Sequence, residues 1–139
     1  MRLSRLLIPL GFALGSPVVW TQQAVPPSNQ GTEDEASRAV DQQIHLVWSG
    51  FCALLRAGDA QSALQYFDDD SRERYAAVFR DLGLAVRQLP RSWSEIKMIW
   101  TVGNFARYSV VTTDENGERS LHELVFIRVE DGRWFLSSL

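Results

Sequence analysis

Two tight turns set behind an all-helical first half constrain this chain more than any other feature. The C-terminal third, Val102 to Leu139, carries the turn dipeptides Asn116-Gly117 and Asp131-Gly132. Each is flanked by alternating apolar residues, the pattern of an antiparallel hairpin. Three consecutive strands are therefore expected there, the last being Arg133-Trp134-Phe135-Leu136. Helices first and strands afterwards describe an α+β chain rather than repeated βα units.

The helical half is read from spacing. Thr32-Glu33-Asp34-Glu35 has the form of a capping box, with Thr32 as N-cap. Val40, Ile44, Val47, Phe51 and Leu54 then follow at steps of three and four, with Trp48, Cys52 and Leu55 one position round. This predicts one long amphipathic helix ending at Gly58. Asp59 is expected to cap a second, short helix over Ala60–Phe67 that buries Ala63, Leu64 and Phe67. Asp70 and Glu73 form another capping-box pattern before a third helix with Tyr75, Val78, Phe79 and Leu82 on one face and a stop at Gly83. Between Leu84 and Ser94 the pattern is unreadable, and Pro90 forbids a continuous helix. From Glu95 alternation returns, with Ile96, Met98 and Trp100 on one side.

Placing each dipeptide at the centre of a two-residue turn gives a register. Tyr108 then faces Val125, Val110 faces Glu123, Ala106 faces Ile127, Val129 faces Trp134 and Ile127 faces Leu136. One sheet face carries Ala106, Tyr108, Val110, Leu121, Val125, Ile127, Val129, Trp134 and Leu136, an aliphatic surface for the helices to cover. The other carries Phe105, Arg107, His122, Leu124, Phe126, Arg128 and Phe135. A one-residue slip would exchange the faces of a strand.

The chain has 139 residues, enough for one domain and too few for two. Its 17 acidic residues outnumber 14 basic ones, so no clustered positive surface for nucleic acid is expected. Residues 1–24 begin with Arg2 and Arg5 before an apolar run from Leu6 to Leu14, the layout of a secretory signal peptide. Pro9 and Gly11 weaken the alternative of an uncleaved membrane anchor. Residues 25–31 read as a Pro-containing linker and residues 32–139 as the domain. Export to a bacterial periplasm is the expected destination. Cys52 is the single cysteine, which rules out an intramolecular disulfide.

Three segments in this order resemble a known superfamily: Phe51-Cys-Ala-Leu-Leu-Arg-Ala-Gly-Asp59, Ala63-Leu-Gln-Tyr-Phe67 and Val125-Phe-Ile-Arg-Val-Glu-Asp-Gly-Arg-Trp-Phe-Leu136. They are similar to the helix ends and the closing "D-G-x-W" hairpin of the nuclear transport factor 2-like superfamily, above all its small exported bacterial members of unknown function. The resemblance implies three helices packed on a curved antiparallel sheet, a cystatin-like cone. It implies that a sheet face often mediates dimerisation, and that enzymes of the superfamily, ketosteroid isomerases and cyclases, work in the open end of the cone.

Such chemistry needs a base in an apolar pocket and a donor for a developing oxyanion. On the register above, Tyr108 and Glu123 are the weak catalytic candidates, within a pocket of Trp48, Asn104, Tyr108, Glu123 and Trp134. A small apolar ligand is the non-catalytic use of the same pocket. His45 and His122 lie on different elements and supply no metal site, and Asp68-Asp69-Asp70 lacks the alternate acids and glycine of a calcium loop. No cofactor is expected. Phe105, Arg107, Leu124, Phe126, Arg128 and Phe135 form an aromatic-and-arginine mixture suited to an interface. The favoured expectation is a non-catalytic module that self-associates, or docks an envelope partner, through that face.

Overall fold

The computed structural model describes residues 30–139. The expected signal peptide and residues 25–29 of the linker lie outside them. Four helices precede four strands: α1 Gln30–Ala57, α2 Ala60–Ala63, α3 Asp69–Leu82, α4 Leu89–Ser92, then β1 Lys97–Val102, β2 Phe105–Thr113, β3 Arg119–Arg128 and β4 Trp134–Ser138. The strands form one antiparallel meander in the order β1-β2-β3-β4, and the helices pack against one of its faces.

The helix α1 starts at Gln30, so Thr32 lies within it rather than capping it, and the last two linker residues are helical. Its buried stripe is Ile44, Trp48, Phe51, Cys52 and Leu55. At its end Gly58 adopts φ +79°. Gly58 N–H donates to Leu55 O and Asp59 N–H to Leu54 O, both at 2.9 Å, the paired bonds of a Schellman stop. Asp59 then caps α2, its carboxylate accepting from Ser62 N–H at 3.0 Å. The second helix is shorter than expected: Leu64–Tyr66 tightens into a 3-10 turn, yet Ala63, Leu64 and Phe67 are buried as the spacing predicts.

The cap of α3 is Asp68, two residues earlier than expected. Its carboxylate accepts from Ser71 N–H at 2.8 Å, and Asp70 sits in the first turn. Tyr75 and Phe79 are buried, whereas Val78 and Leu82 stay partly exposed. A 3-10 turn over Gly83–Gln88 leads into α4, where Pro90 sits in the first turn. There a missing N–H costs nothing.

Both hairpins depart from the expected turn in the same way. Gly117 N–H donates to Asp114 O at 3.0 Å and Asp114 N–H to Glu118 O at 2.9 Å, with Gly117 at φ +81°. Gly132 N–H donates to Val129 O at 2.9 Å and Val129 N–H to Arg133 O at 3.0 Å, with Gly132 at φ +87°. These are type I turns followed by a left-handed glycine bulge, with three loop residues instead of two. The pairing moves by one residue each time. Tyr108 faces Leu124, Val110 faces His122 and Ala106 faces Phe126. Phe126 in turn faces Leu136, and Arg128 faces Trp134.

The two shifts compensate for β4 but not for β3. Ala106, Tyr108, Val110, Trp134 and Leu136 meet the helices as expected, while Leu124 and Phe126 are fully buried in place of Val125 and Ile127. A bulge between Met98 and Trp100 likewise turns Trp100 to the outer face, opposite Arg107. Aromatic side chains fill the space between helices and sheet. Phe51 lies 5.6 Å from Trp48, 5.4 Å from Phe67 and 6.2 Å from Trp93, measured between ring centres.

Two leucines on β3 separate the registers. Leu124→Ala is expected to cost about 2–5 kcal/mol, as a large-to-small core change does. Leu121→Ala, at a side chain 70% exposed, should stay within about 0.5 kcal/mol. Urea unfolding of both variants checks this, and the two-residue turns would reverse the order.

Candidate functional site

The most tightly held polar group on the sheet is Tyr108, whose side chain is fully buried on β2. Its hydroxyl donates to Asp41 Oδ1 of α1 at 2.7 Å. The same oxygen lies 3.5 Å from His45 Nε2, one helical turn along. The His45 ring meets the Tyr108 ring edge-on at 6.2 Å between centres. Burial, together with the bond and the negative charge of Asp41, pushes the Tyr108 phenol far above its ordinary value. A phenol so held keeps its proton and serves as a fixed donor, not as an acid. Asp41 follows the apolar stripe residue Val40 and flanks the sheet. Only its four-residue spacing to His45 marked it in the sequence.

Two positions on, Gln43 leaves the other flank of α1 and accepts from Trp134 Nε1 of β4 at 3.1 Å. The helix is thus tied to β2 on one side and to β4 on the other.

The residues expected to form one pocket do not converge. Trp48, Tyr108 and Trp134 are core side chains. Glu123 lies on the outer face, because the register shift turns it there, and sits 3.5 Å from Arg107. Asn104 belongs to the β1–β2 turn, where its side-chain oxygen accepts two bonds from Arg128, each 3.2 Å. Tyr108 therefore meets Asp41 rather than Glu123.

The expected interface set divides similarly. Phe105, Arg107 and Phe135 keep their place on the outer face. Leu124 and Phe126 are buried against the helices. Arg128 turns to the helix side, its guanidinium 5.4 Å from the Trp134 ring centre. The outer face gains Leu121, Val125 and Ile127, which the two-residue turns had hidden, and Trp100 through the bulge in β1, with Val102 opposite Phe105. Val102 is 69% and Phe105 54% exposed. At the middle of this face the Arg107 guanidinium lies 5.1 Å from the Trp100 ring centre. Its Nε is buried and has no hydrogen-bond partner.

His122, expected on the outer face, stands instead on the helix side beside Thr112, with 3.0 Å between Nε2 and Oγ1. It borders an apolar cleft of about 240 Å³ walled by Val78, Phe79, Leu82 and Trp93. Cys52 is buried, and its thiol is pushed up to about 11 by that burial, with Arg56 opposing. It is a packed, protonated side chain. Among the described residues no three His, Cys, Asp or Glu side chains converge as metal ligands, and no helix is long and apolar enough to cross a membrane.

The class these observations define is an α+β protein with helices on one face of an open four-stranded antiparallel sheet, whose opposite face, of mixed apolar and charged residues, is covered by none of the described residues. Comparison with known protein families and with curated proteins finds no match to this chain.

The bond from Tyr108 has a pH signature. Folding raises the phenol above its ordinary 10.0, so the contribution is complete below pH 10 and is lost as pH climbs towards the folded value. Tyr108→Phe should cost about 2 kcal/mol at neutral pH. In urea unfolding at several pH values, the gap between wild type and variant should narrow above pH 10. A gap independent of pH would contradict a phenol raised by burial and by its bond to Asp41.

Proposed function

We propose that this chain is an exported, non-catalytic module of the nuclear transport factor 2-like type that self-associates through its outer sheet face. The support for the fold assignment is the order of elements, the Schellman stop and cap at Gly58-Asp59, and the bulges in β1 and β4. The signal-peptide pattern of residues 1–24 supports export to the periplasm.

One observation carries the self-association reading. The outer face is apolar at Trp100, Val102, Phe105, Ile127 and Phe135, and at its middle a cation and an anion stand side by side, Arg107 and Glu123, with Lys97 beside Ser109 and Arg119 beside Thr113 on the same side. Two copies related by a two-fold axis present each cation to the other's anion, so the face is complementary to itself. An envelope protein with a matching apolar face would use the same residues.

The enzymatic alternative, an isomerase- or cyclase-like site in a cone pocket, has less support. Its two candidate groups, Tyr108 and Glu123, stand on opposite faces of the sheet.

Sedimentation velocity tests the reading. The wild type is expected to sediment as a dimer and Phe105→Asp as a monomer with unchanged far-ultraviolet circular dichroism. A wild type that remains monomeric at several hundred micromolar would end the proposal.

A further inference from the structure

The free edge of β4 carries a second feature, which borders the outer face at Phe135. Arg128 N–H donates to Asn104 O at 2.8 Å, so the Arg128 backbone faces β2. Val129 N–H donates to Arg133 O, so the backbone of the next residue faces β4. Arg128 and Trp134 are therefore a non-hydrogen-bonded pair, and the Trp134 N–H and C=O point away from the sheet to its open edge. Leu136 lies two residues on and shares this direction, but its carbonyl is taken by Asp68 N–H at 3.1 Å, and Phe67 bridges to it in parallel. The edge is thus closed at Leu136. At Trp134 no backbone group among the described residues pairs with it.

The closing segment curls away just where the edge opens, because Leu64–Tyr66 is a 3-10 turn rather than a strand. Two cavities result, and they meet at Gln65, Arg133 and Phe135. The first, about 550 Å³, lies against α1 and is walled by Leu46, Val47, Leu54 and Tyr66 with Trp134. The second, about 440 Å³, is mixed, bordered by Asp69 and Arg72 on one side and by Val129 and Phe135 on the other. Unpaired backbone groups flanked by an apolar cavity and a mixed one that holds Asp69 and Arg72 fit an extended occupant. An extended peptide pairs its own amides with such an edge and sends successive side chains to opposite sides.

We propose that the edge of β4 at Trp134 takes a short extended segment of a partner protein as an added strand, with one apolar side chain seated between Leu46, Val47 and Tyr66. The adjacent side chain is polar and enters the cavity beside Arg72. A small apolar molecule fills the first cavity but leaves the Trp134 backbone unpaired, so the peptide accounts for both features.

Selection of a random heptapeptide display library on the full chain tests this, with the enriched sequences resynthesised and titrated by calorimetry. They should alternate apolar and polar residues around one large apolar anchor. Leu46→Asp, at a side chain 74% exposed, should weaken binding at least tenfold without loss of fold. Methylating the peptide nitrogen next to the anchor should weaken it as much. Phe105→Asp, on the other surface, should leave the affinity unchanged. The proposal is overturned if no peptide binds better than its shuffled control, or if binding tolerates both Leu46→Asp and N-methylation at every amide. It is equally overturned if Leu46→Asp dissociates a dimer while no peptide binds, which would place a second copy of this chain in the groove.

Discussion

Each of the two long hairpins turns on a glycine of positive φ, Gly117 or Gly132, placed third in a three-residue loop. An L-residue in that conformation costs about 1–2 kcal/mol, so glycine secures the loop length as well as the turn. Loop length sets the register, and register decides which side of β3 the helices cover. Had the first loop been one residue shorter, Glu123 would share a face with Tyr108, and Phe126 would turn away from the helices. The division into a buried aromatic interior and a bare outer face follows from these two positions.

Once the face is chosen, few polar bonds are needed to orient the helices on it. Asp41 and Gln43 leave opposite flanks of α1 and bind Tyr108 and Trp134, fixing the helix across β2 to β4. The C-terminal half of β4 is held by α3: Ser71 Oγ donates to Ser137 O at 2.7 Å, and the Tyr75 hydroxyl both accepts from Leu139 N–H at 2.7 Å and donates to Leu139 O at 3.0 Å. An edge strand left bare invites uncontrolled pairing. Here it is closed at Leu136 by Phe67 and Asp68, and among the described residues its backbone is unpaired at Trp134. The same strand thus contributes to the core, to the closure of the sheet and to the inferred peptide site.

Much of this was legible in the residues. The stripe of α1, the stop at Gly58, the cap at Asp59 and the buried faces of β2 and β4 follow from spacing and turn chemistry. The inner face of β3 was not legible, because Asn-Gly and Asp-Gly serve both a two-residue turn and a three-residue one with a terminal glycine bulge. Both flanks of β3 are apolar, with Leu124 and Phe126 on one side and Val125 and Ile127 on the other, so hydrophobicity could not break the tie. The bulge at Met98–Trp100 has no sequence mark, and it moved Trp100 outward. Asp41 was missed because a carboxylate beside an apolar stripe looks like an ordinary solvated residue until its buried partner is known.

Both surfaces to which function is assigned depend on the register of β2 with β3. In that register Arg107 and Val125 form a non-hydrogen-bonded pair, in which the α-carbons approach to about 4.5 Å. A strong NOE between the α-protons of Arg107 and Val125, in uniformly labelled protein, is the result this account predicts. A cross-strand α-proton NOE from Arg107 to Phe126 in its place would contradict it, turning Leu124 and Phe126 outward and exchanging the two faces of β3.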